Sequence, residues 1–224
     1  MRKLKSACLF LFGLALSTSF AAPIAVTSAV GQVGKELVTS RKVQISNFYD
    51  RWSLLPADKR QVIAEADFLS WQVTLGSEEY QAQISSLLLE WMVSAEAVSL
   101  DTQGKPEAEL QAEAEAFVQS LKGNVSFKAM EVEVAEVKRI IRIKDLSQKF
   151  LKIKLEAVDS KISEAQARQY YQAQKQNLAG VPFESIKPMI LQRLAQESQM
   201  SRLKDWFEIL KRKYRVQSFG NPQK

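Results

Sequence analysis

The chain has 224 residues, with 31 Lys and Arg against 25 Asp and Glu for a net charge of +6, one cysteine and no histidine. The missing imidazole excludes Ser-His-Asp and Cys-His nucleophile activation, His-ligated zinc and proton shuttling at neutral pH. A phosphate-binding loop is excluded too, because Gly31, Gly34 and Lys35 lack its length and its following helix.

The N-terminus reads as an export signal. Arg2, Lys3 and Lys5 precede an uncharged apolar run over residues 7–16, and Ser19 and Ala21 form the small-x-small pattern of a cleavage site. The expected cut lies between Ala21 and Ala22, leaving residues 22–224 as one domain. The apolar run is well short of the ~20 residues that a spanning helix needs. Cys8 comes too early, after Lys5 and Ser6, to be a lipidation site. Cleavage would remove it, so the mature chain could form no disulfide and would carry no thiol nucleophile. It would also lower the net charge from +6 to +3. A chain of that length can bury a sizeable core without disulfides. The expected location is the periplasm, with no membrane contact after cleavage.

Local charge is uneven. Residues 101–136 are acidic, whereas Arg202, Lys204, Lys211, Arg212, Lys213 and Arg215 cluster near the C-terminus. Such a cluster suits nucleic acid or anionic lipid, or simply the solvated last turns of a helix, where cations favour the dipole. Export argues against nucleic acid, and the helix-end reading is preferred. No spacing indicates a cofactor or a metal.

The elements follow in chain order. Residues 26–38, β-branched and punctuated by Gly31 and Gly34, predict a hairpin. Thr39 or Ser40 then caps a helix with Ile45, Phe48, Tyr49, Trp52 and Leu55 inward, ended by Pro56. Residues 58–73 predict a second helix. Ser77, Glu78 and Glu79 open a third, with Tyr80, Ile84, Leu87, Leu88, Trp91 and Ala95 on one face. After a loop at residues 102–105, Pro106 begins a helix striped by Leu110, Ala114, Phe117, Val118 and Leu121, with Gly123 as its C-terminal cap. Residues 126–158 fit a helix through Phe127, Met130, Val134, Val137 and Ile141, although residues 131–134 alternate like a strand; one long helix is expected. Ser163 and Gln166 form a capping box for a helix reaching Asn177. The last helix spans residues 183–214, with Ile186, Ile190, Leu194, Leu203, Phe207 and Leu210 inward and Pro188 as an interruption or kink. Residues 214–219 predict a terminal strand free to pair with the hairpin, and residues 220–224 a tail. The expected fold class is mainly α, a helical core closed by a small sheet of N-terminal hairpin and C-terminal strand. With so many apolar stripes and so little sheet, some stripe is expected to line an open cleft.

Several stretches resemble a known family. Residues 161–171, with Ser163, Glu164, Tyr170 and Tyr171, resemble the start of a helix in SurA-type periplasmic chaperones and foldases. Residues 182–186 and 190–194 resemble that family's closing helix, and Trp206, Leu210 and residues 214–217 its end. Residues 34–41 are similar to its hairpin-to-helix entry, and residues 83–97 to its next helix. Full-length members insert parvulin prolyl-isomerase domains between these halves, yet here Tyr171 and Phe183 are too close in sequence to admit one. The resemblance therefore implies a chaperone core alone, holding unfolded or partly folded envelope polypeptides without nucleotide or isomerase activity. An adaptor for one dedicated envelope partner, a prolyl isomerase and a lipid-binding basic helix remain open alternatives. No residue is assigned to client binding.

Overall fold

The computed structural model describes residues 27–157, 162–178 and 180–219. The expected leader at residues 1–21 and tail at residues 220–224 lie outside the described residues. The chain is mainly helical and carries a three-stranded antiparallel sheet.

β1 (Ala29–Val33) and β2 (Glu36–Thr39) form the hairpin around Gly34, whose φ of 61° is a conformation glycine accepts without penalty. Thr39, rather than Ser40, caps α1 (Ser40–Ser53), its side chain accepting from the Lys42 amide. The expected second helix is mostly absent: a 3-10 turn at Ala57–Lys59 precedes α2 (Glu65–Ser70). Competing bonds explain this. The Ile63 amide donates to the Ser120 carbonyl and its own carbonyl accepts from the Asn124 side chain, so the segment between them is held away from helical pairing.

α3 (Glu78–Ser99) starts at Ser77, which accepts from the Tyr80 amide. It buries Tyr80, Ile84, Leu87, Leu88, Trp91, Met92, Val93 and Ala97, while Ala95 is only half-buried. α4 (Glu107–Leu121) follows Pro106. Gly123 is not the left-handed cap expected of it; the Asn124 amide closes the turn on the Leu121 carbonyl, and α5 (Val125–Lys128) begins at once.

The single long helix expected over residues 126–158 is also corrected. Glu131 takes a φ of 49° and separates α5 from α6 (Val134–Ala157). Arg41 fixes the break: its guanidinium donates to the Met130 and Glu131 carbonyls and to Glu136. A long-range ion pair thus overrides helix propensity. Residue 158 lies outside the described residues.

α7 (Glu164–Ala173) has the expected capping box at Ser163 and Gln166 but stops short of Asn177. α8 (Phe183–Lys213) runs through Pro188. At 1.5 Å per residue its 31 residues extend about 46 Å. The terminal strand is shorter than expected: Tyr214 caps α8, Arg215 turns with a φ of 48°, and β3 is Gln217–Ser218. β3 pairs with β1 (Gly31 opposite Ser218, Gln32 opposite Gln217), giving the order β2-β1-β3. Gly31 permits this closure, because a Cβ there would meet the Gln217 carbonyl oxygen and Leu88 at 2.8 Å.

Among the described residues the packing forms three apolar clusters. One joins the sheet, α3, Leu146 and Phe150 of α6, and the end of α8. The second packs Phe48, Phe68, Phe117 and Phe127 edge-on or tilted between α1, α2, α4, α5 and α6. The third is a small cluster of Ala167, Phe183 and Ile190 where α7 leans on the first half of α8.

Candidate functional site

α8 buries only Phe183, Ile190, Leu203 and Leu210. Each pair is seven residues apart, two helical turns, so one seam serves α7 and the other serves the body. Between Ile190 and Leu203 the helix has no buried residue. It therefore leaves the body as a shaft, and an open groove of about 940 Å³ lies where it diverges from α3. The α3 wall is Ser85, Leu88, Leu89 and Met92; the α8 wall includes Met200, Leu203 and Phe207; Val216 and Ser218 close the end at β3.

The chemistry of the groove is mainly apolar. Met92 and Leu88 are buried beneath it, Leu89 and Phe207 are half-buried, and Met200 is 66% exposed. The thioethers of Met92 and Met200 are unbranched and polarizable, so that part of the lining can adapt to varied shapes. Among the described residues, charge in the lining is confined to the α8 rim, at Lys204, Glu208 and Lys211.

Both ends of the α8 wall are anchored. At the C-terminal end, Glu96 of α3 receives hydrogen bonds from Lys213 Nζ at 2.5 Å and Tyr214 Oη at 2.7 Å. Burial alone would push the Glu96 carboxyl up, but these two donors outweigh it and hold the group below its ordinary value. The Gly34 amide donates to the Tyr214 carbonyl at 2.6 Å, tying the helix end to the hairpin turn. Farther along, Gln199 donates to the Leu155 carbonyl at the end of α6. Trp206 packs on Phe150, and Lys154 lies 5.4 Å over its ring.

A second cluster is ionic. Lys144 of α6 is buried and its Nζ lies 2.9 Å from both Asp50 of α1 and Glu90 of α3. Burial raises the Glu90 carboxyl above its ordinary value, with the Lys144 ammonium opposing that rise. The three groups satisfy one another across three helices, which is the work of a structural clamp. Among the described residues, no group of three or more His, Cys, Asp or Glu could hold a metal ion. No described helix is long and apolar enough to cross a membrane.

The stripes read from sequence meet here in part. Leu88, Leu203 and Phe207 border the groove as members of expected apolar faces. Leu89, Met92 and Met200 lie off those faces and were missed. The available signal was α3 itself, where residues 87–89 and 91–93 are apolar on more than one side. A helix of that kind has neighbours all round or an apolar surface left open. No protein-family model, no curated protein and no solved structure matches the chain.

Proposed function

We propose that the protein is an ATP-independent holdase of the bacterial periplasm, binding unfolded or partly folded envelope polypeptides, among them outer-membrane proteins in transit. The observation that carries this reading is the groove between α3, α8 and β3, an accessible apolar surface held open by anchors at both ends. Covering a client's exposed apolar side chains there would lower the concentration of aggregation-prone surface. No side chain performs a covalent step in this scheme. Further support comes from the leader-like residues 1–21, and from the similarity of residues 34–41, 83–97 and 161–171 to SurA-type chaperones.

The purified protein is expected to suppress the aggregation of a denatured β-barrel protein, followed by light scattering, at near-equal molar ratio without nucleotide. Undiminished scattering at several-fold excess would overturn the reading.

A further inference from the structure

The charges of the groove are one-sided. Its α3 wall presents Ser85, Leu88, Leu89 and Met92 and carries none, while the α8 rim carries Lys204, Glu208 and Lys211. Glu208 is matched to Lys211 at 2.7 Å. Lys204 is exposed and forms no salt bridge among the described residues, but its charge also acts on Glu208, so the rim sets two cations against one carboxylate. Arg212 and Arg215 follow Lys211 as exposed cations outside the groove lining, Arg212 acting on Glu208 as well. The end wall is different in kind. β3 lies at the edge of the sheet, paired to β1 alone among the described residues, so an incoming backbone can hydrogen-bond beside Ser218. An acyl chain has no use for such an edge; a polypeptide does.

We infer that the groove selects extended polypeptide segments whose apolar residues are flanked by Asp or Glu, the acidic side chains meeting Lys204 and Lys211. This rests on the holdase reading of the same groove and adds the charge of the client. Exposed pairs of this kind contribute little singly, and Glu208 already shares Lys211. The roughly tenfold scale at low salt is therefore that between an acidic flank, which the rim attracts, and a basic one, which it repels, about 1.4 kcal/mol in all. Salt screens both effects over a Debye length.

The test uses two unstructured, fluorescently labelled peptides with the same apolar residues, one flanked by Asp and the other by Lys, titrated with the purified protein by anisotropy. The acidic peptide should bind roughly tenfold more tightly at low salt, and the difference should fall below about twofold in molar salt. The double variant Lys204→Glu, Lys211→Glu should reverse the preference. Equal affinity for the two peptides overturns the inference and leaves the holdase reading in place; failure to bind either overturns both. Displacement of the acidic peptide by an equimolar fatty acid would reassign the groove to acyl chains and overturn it as well.

Discussion

Lys144→Met is expected to lower the unfolding free energy by about 2–3 kcal/mol at neutral pH, at or just below the ~3 kcal/mol at which the range for breaking a fully buried ion pair begins, because Asp50 keeps some access to water. The side chain of Lys144 is 5% exposed, against 41% for Asp50 and 22% for Glu90. Methionine fills similar space but leaves two carboxylates facing each other without a cation. The penalty depends on pH, and its sign follows from Glu90. Burial already raises that carboxyl above its ordinary 4.5, and loss of Lys144 raises it further. A folded state that holds a proton more tightly than the unfolded chain loses stability as pH rises through the window between the two pKa values. The deficit of the variant should therefore be complete at neutral pH and shrink on acidification towards the unfolded value near 4.5. Urea unfolding of both proteins at neutral and acidic pH measures it. A deficit below about 1 kcal/mol, or one indifferent to pH, would mean that the triad is not the clamp described. Adding Glu90→Gln to the variant should restore part of the loss.

The second large effect is functional. Placing carboxylates in the groove, as Met200→Glu together with Phe207→Glu, should raise the amount of protein needed for half-maximal suppression of aggregation by roughly tenfold, the scale of a central interface residue. Met200 is 66% exposed, so its replacement alone should change stability by less than about 0.5 kcal/mol. Phe207 is half-buried against Trp206, and its replacement should cost about 1–2 kcal/mol. Circular dichroism separates loss of grip from loss of fold. Met200→Glu alone provides a folded control in which weaker suppression is still expected. Protection equal to wild type by both variants would remove the groove from the mechanism.

Much of the architecture was legible because it is local. The Ser163 capping box, the Ser77 start of α3 and the apolar stripe of α1 are each fixed within a few residues of sequence. The two largest errors lie where distant residues intervene, whereas the misplaced ends of α4, α7 and β3 are local misreadings of a turn. Nothing near residues 126–158 foretells that Arg41 will bind the Met130 and Glu131 carbonyls and break the helix. Nothing near residues 58–73 announces the bonds of Ile63 to Ser120 and Asn124. Lys144 is an instructive intermediate case. Its place four and three residues after Ile140 and Ile141 put a cation on an apolar face, a hint of a buried partner, but Asp50 and Glu90 are reached only through the fold. The groove shows the same division. Helical periodicity identifies Leu88, Leu203 and Phe207 as apolar faces, but it says nothing about what covers a face. That depends on where α8 leaves the body, which the Glu96, Lys213 and Tyr214 contacts decide.

The most direct measurement is site-specific photo-crosslinking to an unfolded client, with the crosslinker at Met200 in the groove or at Leu54 on another face. Leu54 is 84% exposed and so is more accessible than Met200. If the groove grips polypeptides, adducts form at position 200 and are lost when the client is folded, while position 54 stays unlabelled. Equal labelling at both positions, or labelling at position 54 alone, would contradict it.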